Sequence, residues 1–186
     1  KACGADLIST SSDRVPGPKG AGALYLSPRL TSFPPIMLGG GQENGYRSGT
    51  EATPAIAGFA AAAAAVGSTF PVDTQQEKAL LHTLIGKLSA LDGVVINGSH
   101  QAPHILSISI PGVPTQNTIN ILQESGICVS AGSACAKGHR SHVLSAMHLP
   151  PEVIDSSIRV SLSRETTREE IDGLIRGIEA VLAWKK

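Results

Sequence analysis

Residues 129–142 have the sequence V-S-A-G-S-A-C-A-K-G-H-R-S-H, which places one cysteine, Cys135, among small and flexible residues. The segment before it, 127–129, is apolar, and the segment after it, 143–147, is again mostly apolar. This pattern predicts a loop between a strand and a helix. Small neighbours cannot bury the thiol, and glycines on both sides allow the backbone to move. An accessible cysteine is therefore expected at position 135.

Positive charge follows this cysteine closely, from Lys137, His139 and Arg140. A free thiol has a pKa of about 8.5. Neighbouring cations favour the thiolate, which is the nucleophilic form. The sequence thus predicts a reactive Cys135. The alternative is an ordinary surface cysteine in a basic loop.

A metal site is a second alternative for the same stretch. Cys135, His139 and His142 form a C-x3-H-x2-H pattern, with Cys128 upstream. Nitrogen and sulfur ligands of this kind can bind zinc. The spacing differs from the paired-ligand patterns typical of structural zinc, so no metal is assigned.

The bulk composition excludes some classes of function. The 186 residues are 41% hydrophobic, which is enough for a core. The 15 basic side chains balance 15 acidic ones, and this zero net charge argues against nucleic acid or a charged membrane surface as a partner. Three cysteines without framework spacing predict reduced thiols and a cytoplasmic protein. The apolar run 56–66 is shorter than the roughly 20 residues of a membrane span. The first residues lead directly into a strand-like run without a signal peptide, as if a longer protein had been cut.

The first 70 residues alternate short apolar runs with turn chemistry. Gly and Pro dominate the connections, and alanine, the best helix former, dominates the last part. The predicted elements are a buried strand 6–10, a strand 23–26, a proline-containing loop 27–38, an irregular glycine-rich stretch 39–50 and a helix 51–66.

A break at 67–73 separates this part from a second, regular α/β pattern. Thr74 and Glu77 form a capping-box pattern for a helix that runs to Leu91. Ile158, Val160 and Leu162 alternate with polar residues, as in a half-buried strand. The other predicted elements are strands 93–98, 104–110 and 127–130, helices 115–125 and 141–147, and a last helix opened by Thr167, Glu169 and Glu170 that ends near Trp184. The order predicts a compact sheet with helices over one face.

Three motifs together resemble one family. S-x-G-S-A-C followed by S-x-V-L is similar to the mobile catalytic loop of NifS/IscS-type cysteine desulfurases, class-V enzymes of the pyridoxal phosphate (PLP) fold type I. G-P-K-G-x-G-A-L-Y at 17–25 and G-G-G-Q-E-x-G-x-R-S-G-T at 39–50 resemble the end of that family's large domain. The resemblance implies an α/β fold in which 1–70 is a remnant of the PLP-binding large domain. Residues 71–186 would be the small C-terminal domain that carries the Cys135 loop.

The resemblance also implies a reaction and two of its residues. The family removes sulfur from L-cysteine, leaves alanine and passes the sulfur to acceptors such as iron–sulfur scaffold proteins, and it works as a homodimer. Cys135 would take the sulfur as a persulfide. Arg159, in I-R-x-S-L-x-R, would bind the substrate carboxylate, which a guanidinium suits. The alternative for Arg159 is a solvent-facing arginine on a strand.

The cofactor positions depart from the family. There, S-x-H-K stands just ahead of G-P-K-G, and its lysine forms the Schiff base with PLP; here the matching residues are Ser11, Ser12, Asp13 and Arg14. Arginine stays protonated and cannot make that bond, and Asp13 would repel the PLP phosphate. Thr50 matches the threonine that reaches the partner's PLP phosphate, with a flexible loop as the alternative for 39–49. PLP is implied by the family, but covalent attachment is not expected.

The family's N-terminal half, with its ring-stacking histidine and its aspartate against the pyridine nitrogen, has no counterpart in these 186 residues. We therefore expect little or no desulfurase activity from this chain. The alternative is a non-catalytic small-domain module that binds a partner or relays sulfur through Cys135.

Overall fold

The computed structural model describes residues 4–35, 37–99, 102–132 and 140–185. Cys135 belongs to the segment 133–139, which lies outside the described residues, as does its predicted accessibility. The chain divides into two compact units, residues 1–70 and 71–186. Each unit is described by itself below.

The first unit contains a two-stranded antiparallel ribbon. Strand β1 (Leu7–Ser11) pairs with strand β2 (Gly22–Leu26), so that Ile8 lies opposite Tyr25. The prediction of a buried first strand is wrong, because every residue of β1 is exposed. A two-stranded ribbon cannot bury its own faces and needs a further layer. In the described part of this unit the buried side chains are serines, namely Ser12, Ser27 and Ser48.

A single long helix, α1 (Thr53–Ser89), replaces the two predicted helices and the break between them. The prediction failed at Pro71, which lacks a backbone N–H and disfavours helix for the residue before it. The missing hydrogen bond costs about 3 kcal/mol, and long helical runs on both sides outweigh this local cost. Thr74 therefore lies inside a helix and caps nothing. The boundary between the compact units falls between Phe70 and Pro71, within α1.

The first half of α1 corrects a second expectation. The expectation from the sequence rested on the run 56–66 alone, which is too short to span a membrane. The helical segment Thr53–Phe70 is long and apolar enough to cross a membrane, by length and composition alone. The same half-helix approaches the turn after β1, since a Cβ placed on Gly58 would lie 2.9 Å from Pro18 Cγ.

The second unit is built on a three-stranded antiparallel sheet. Its strands are β3 (Val95–Asn97), β4 (Ile105–Ser109) and β5 (Ser157–Ser161), in the spatial order β3-β4-β5. Ile108 lies between Ile96 and Ile158, so these three side chains share one face. That face packs on the C-terminal part of α1 and on the last helix, and its buried core includes Leu84, Leu88, Leu106, Ile108, Ile158, Val160, Leu174, Ile178 and Val181.

The described residues of this unit form four further helices: α2 (Thr115–Glu124), α3 (His142–Ala146), α4 (Pro151–Asp155) and α5 (Arg168–Trp184). The sequence predicts α2, α3 and α5 to within two residues, and the capping box at Thr167 and Glu170 is present. Helix α4, which has proline in its first turn, was not predicted from the sequence. The predicted strand 127–130 is wrong, because only Ser130 makes a bridge there.

Candidate functional site

Arg159 lies near the middle of β5, directly opposite Ser107 on β4. Its neighbours Ile158 and Val160 are buried in the core, so alternation places Arg159 on the other face of the sheet. The side chain is half-buried, and its Nε is buried without a hydrogen-bond partner among the described residues. A buried guanidinium nitrogen without a partner is costly, and an anionic ligand would satisfy it.

Arg159 also holds the start of the segment that contains Cys135. Its backbone N donates to Ser130 O at 2.7 Å, and Ser130 N donates to Arg159 O at 3.2 Å. Ser130 Oγ then donates to Gly132 O at 2.8 Å, at the last described residue before the segment. Ser130, which stands five residues ahead of Cys135 in the sequence, is thus held against Arg159.

The far end of the same segment is held by an ion pair. Arg140 Nε lies 2.7 Å from Asp155 Oδ1, and Arg140 Nη2 lies 2.6 Å from Asp155 Oδ2. The hydrogen bond from Arg140 holds the pKa of Asp155 below its usual range, and the same bond raises the pKa of Arg140. Arg140, one of the three positive charges that the sequence places near Cys135, is therefore paired with Asp155.

The predicted cofactor residues lie at the end of β1 and in the 3₁₀ turn that follows, Ser12–Arg14. Ser11 Oγ donates a hydrogen bond to Asp13 Oδ1. This bond, together with a backbone bond and the nearby charges of Arg14 and Lys19, lowers the pKa of Asp13. Asp13 is therefore a carboxylate at neutral pH, exposed beside an exposed Arg14.

This turn does not fit covalently attached PLP. A Schiff base requires a neutral amine, and Arg14, which the resemblance sets at the attachment position, carries a guanidinium that cannot form one. The fixed negative charge of Asp13 stands beside it and opposes a phosphate.

Thr50 follows a loop that is more regular than the sequence predicts. A 3₁₀ turn spans Glu43–Gly45, and Met37 makes a parallel bridge with Arg47. Gly49 N donates to Gln42 Oε1 at 3.2 Å, with Gly49 at a φ of +115°, which favours glycine. Thr50 is exposed at the end of this loop.

Cys128 differs from its predicted environment. The sequence placed it on a strand, but it is an exposed free cysteine outside regular structure. It lines a cavity of about 530 Å³ together with Glu170 and Arg176 of α5. Within the described residues no three His, Cys, Asp or Glu side chains are placed to hold a metal ion, and Cys135 and His139 lie outside them.

Sequence reasoning missed Asp155 and Ser130 as neighbours of the site. Both are common polar residues in unremarkable positions, and their roles arise from contacts over 15 and 29 residues, with Arg140 and Arg159 respectively. The only usable signal was the double proline at 150–151, which marks a helix start and hence an ordered Asp155 at its end.

Residues 1–174 match the family described as aminotransferase class-V. The chain belongs to the class-V aminotransferase family. Members of this family and its cysteine desulfurases use PLP. Within the family the chain is similar to the mitochondrial cysteine desulfurase of Arabidopsis thaliana, at 40% identity over 89% of this chain and 38% of the relative. It is also similar to cysteine desulfurase IscS of Vibrio vulnificus, at 39% identity over 96% of this chain and 45% of the relative.

Solved structures of this class-V type confirm the fold class. A NifS-like protein superimposes with a TM-score of 0.83 at 32% identity, over 97% of this chain and 47% of that one. The NifS-like protein of Rickettsia africae gives a TM-score of 0.83 at 34% identity, over 98% of this chain and 49% of that one. The chain therefore spans about half the length of the relatives it matches. The resemblance to NifS/IscS-type proteins that the motifs suggested is confirmed.

Proposed function

We propose that this chain is part of a cysteine desulfurase-type protein that handles the sulfur of L-cysteine. In this proposal Cys135 accepts the sulfur as a persulfide, and Arg159 binds the carboxylate of the cysteine that donates it. The chain does not release sulfur from L-cysteine by itself, because Arg14 occupies the attachment position of PLP. Residues 1–70 correspond to a remnant of the PLP-binding large domain, and 71–186 to the small domain.

The observation that carries the proposal is the environment of Arg159. Its buried Nε has no partner among the described residues, and its backbone holds Ser130 at the start of the segment with Cys135. A carboxylate would complete the hydrogen bonding of the guanidinium. An amino acid bound there through its carboxylate would present its side-chain sulfur close to where that segment begins.

The partners follow from the same assignment. L-cysteine is the substrate class, and an iron–sulfur scaffold or another sulfur acceptor protein receives the persulfide. Thr50, exposed at the end of its loop, reaches a second copy in a homodimer. Thiol chemistry of this kind requires a reducing compartment such as the cytoplasm.

The second candidate function is a sulfur relay without its own desulfurase reaction. This second function is favoured by the turn at Ser11–Arg14. There Arg14 carries a guanidinium where the family has an amine, and the ionised Asp13 stands where the family contacts the PLP phosphate. In a relay, Cys135 receives sulfur already in the persulfide state.

Cysteine persulfide tests the site directly, because it carries both a carboxylate and a transferable sulfur. The Cys135 thiolate attacks the outer sulfur, the bond between the two sulfurs breaks, cysteine leaves as its thiolate, and the Cys135 persulfide forms. We expect transfer to be faster from cysteine persulfide than from an alkyl persulfide without a carboxylate. Losing one charge-assisted contact should reduce this preference by about 10- to 100-fold in the Arg159→Met variant.

The matched control is Arg176→Met, which removes an arginine of the same unit on α5. It should keep the preference for cysteine persulfide. Site-resolved mass spectrometry of the Cys135 and Cys128 peptides provides the rates. Equal rates from both donors in the unmodified protein would contradict the assignment of Arg159, and transfer to Cys128 alone would contradict that of Cys135.

A further inference from the structure

The sheet of the second unit carries a row of polar side chains on the face that lies away from the hydrophobic core. The strand register places Asn97 of β3 opposite Ser107 of β4, and Ser107 opposite Arg159 of β5. Directly opposed residues point to the same face of a sheet, so these three side chains form one line across the three strands. The apolar residues next to them in each strand face the core.

Ser107 and Arg159 are cross-strand neighbours of the closer kind. The backbone N and O of Arg159 both bond to Ser130, on the side away from β4, whereas Leu162 N donates to His104 O on the β4 side at 2.7 Å. This alternation makes Ser107 and Arg159 a pair without backbone hydrogen bonds between them. In such a pair the Cα atoms are about 4.5 Å apart and the side chains approach most closely. The Ser107 hydroxyl therefore lies beside the Arg159 side chain.

The hydrogen of the Ser107 hydroxyl is donated to no described residue. Asn97 Nδ2 donates to Ser107 Oγ at 3.2 Å and to Ser109 Oγ at 2.8 Å. Ser109 Oγ in turn donates to Val153 O at 2.7 Å, so its own hydrogen is already used. Asn97 Oδ1 is buried and has no partner among the described residues, so the Ser107 hydrogen is not used there either. Ser107 Oγ thus accepts from Asn97 and still has one hydrogen to donate.

We propose that Ser107 is a second binding residue for the carboxylate that Arg159 binds. The Ser107 hydroxyl and the Nε–H of Arg159 are neighbouring donors without acceptors among the described residues. A carboxylate has two acceptor oxygens, and two donors side by side can each bond to one of them. Both side chains are half-buried, so a small ligand can reach them while water is partly excluded. This inference rests on the proposed function, in which Arg159 binds the carboxylate of a cysteine.

Removal of the Ser107 hydroxyl should weaken the binding of L-cysteine and leave that of L-cysteinamide unchanged, because the amide has no carboxylate. Binding is measured under reducing conditions by nuclear magnetic resonance, as the change in the backbone amide shifts of residues 107 and 159 of the full chain. We expect Ser107→Ala to raise the Kd for L-cysteine about 10-fold, since it removes one hydrogen bond to a charged group.

Two further variants of Ser107 have nearly the same shape and differ in the hydroxyl. Ser107→Thr keeps the hydroxyl and should bind L-cysteine as the unmodified chain does, whereas Ser107→Val lacks it and should show the same loss as Ser107→Ala. Both β-branched residues suit a strand. The matched control is Ser161→Ala, which removes an exposed serine from the same face of β5, two residues from Arg159, and should change neither Kd. Circular dichroism verifies that each variant is folded.

Equal affinity for L-cysteine in the Ser107→Thr and Ser107→Val variants would overturn the inference, as would an equal loss for L-cysteine and L-cysteinamide. The proposed function fails on a different result. If Arg159→Met leaves the preference for L-cysteine over L-cysteinamide unchanged, Arg159 does not bind the carboxylate. If Arg159→Met abolishes that preference and Ser107→Val preserves it, Arg159 keeps its role and Ser107 has none.

Discussion

Incubation with PLP and reduction with borohydride should leave no stoichiometric adduct on any single lysine of this chain. In the proposed assignment Arg14 stands at the attachment position, and a guanidinium cannot form a Schiff base. Lys19 is the nearest amine in the following turn, but it belongs to the G-P-K-G motif and not to the attachment position. Asp13, kept ionised by Ser11, further disfavours the phosphate. Peptide mapping of the reduced protein is the measurement.

The Lys19→Arg variant is the control for this experiment. If this variant loses a trace of labelling seen in the unmodified chain, that trace came from random modification of the exposed Lys19 amine. A specific and stoichiometric adduct on one lysine in the unmodified chain would show that the active-site lysine lies elsewhere, and the assignment of Arg14 would have to be withdrawn.

Replacing Leu84 by alanine should produce a large loss of stability. Leu84 is fully buried in α1 and belongs to the core under the sheet. The change removes apolar contacts and leaves a cavity, which lowers the free energy of unfolding by about 2–5 kcal/mol. Because this unit contains several helices, far-UV circular dichroism can follow its denaturant unfolding.

The control for Leu84→Ala is Val143→Ala, in α3 of the same unit. Val143 is 55% exposed, and its truncation should change the free energy of unfolding by less than about 0.5 kcal/mol. Similar losses for the two variants would contradict the core described for residues 71–186.

Local sequence signals predicted the elements whose causes are local. The alternation of Ile158, Val160 and Leu162 predicted β5, and Thr167, Glu169 and Glu170 predicted the start of α5. Residues 127–130 look like a strand from their apolar side chains. A strand also needs a continuous partner, and β5 offers only Arg159 to Ser130.

Features set by distant contacts were not predictable in the same way. Burial of β1 depends on a further layer, which the apolar character of Leu7 and Ile8 cannot guarantee. The helix through Pro71 depends on cooperative helical runs to either side. The pairing of Arg140 with Asp155 joins α4, an element the sequence did not reveal, to the segment that carries Cys135. The motifs gave the family, but they could not show that Arg140 pairs with Asp155.

The most direct test of the account is alanine release from L-cysteine by a repaired protein. The repair combines Arg14→Lys with Asp13→His, and it is assayed together with the half of a NifS-like chain that has no counterpart here. The account predicts no alanine from the unrepaired chain under these conditions, and alanine together with a Cys135 persulfide from the repaired one. A repaired protein that binds PLP through residue 14 but releases no alanine would contradict the assignment of this site.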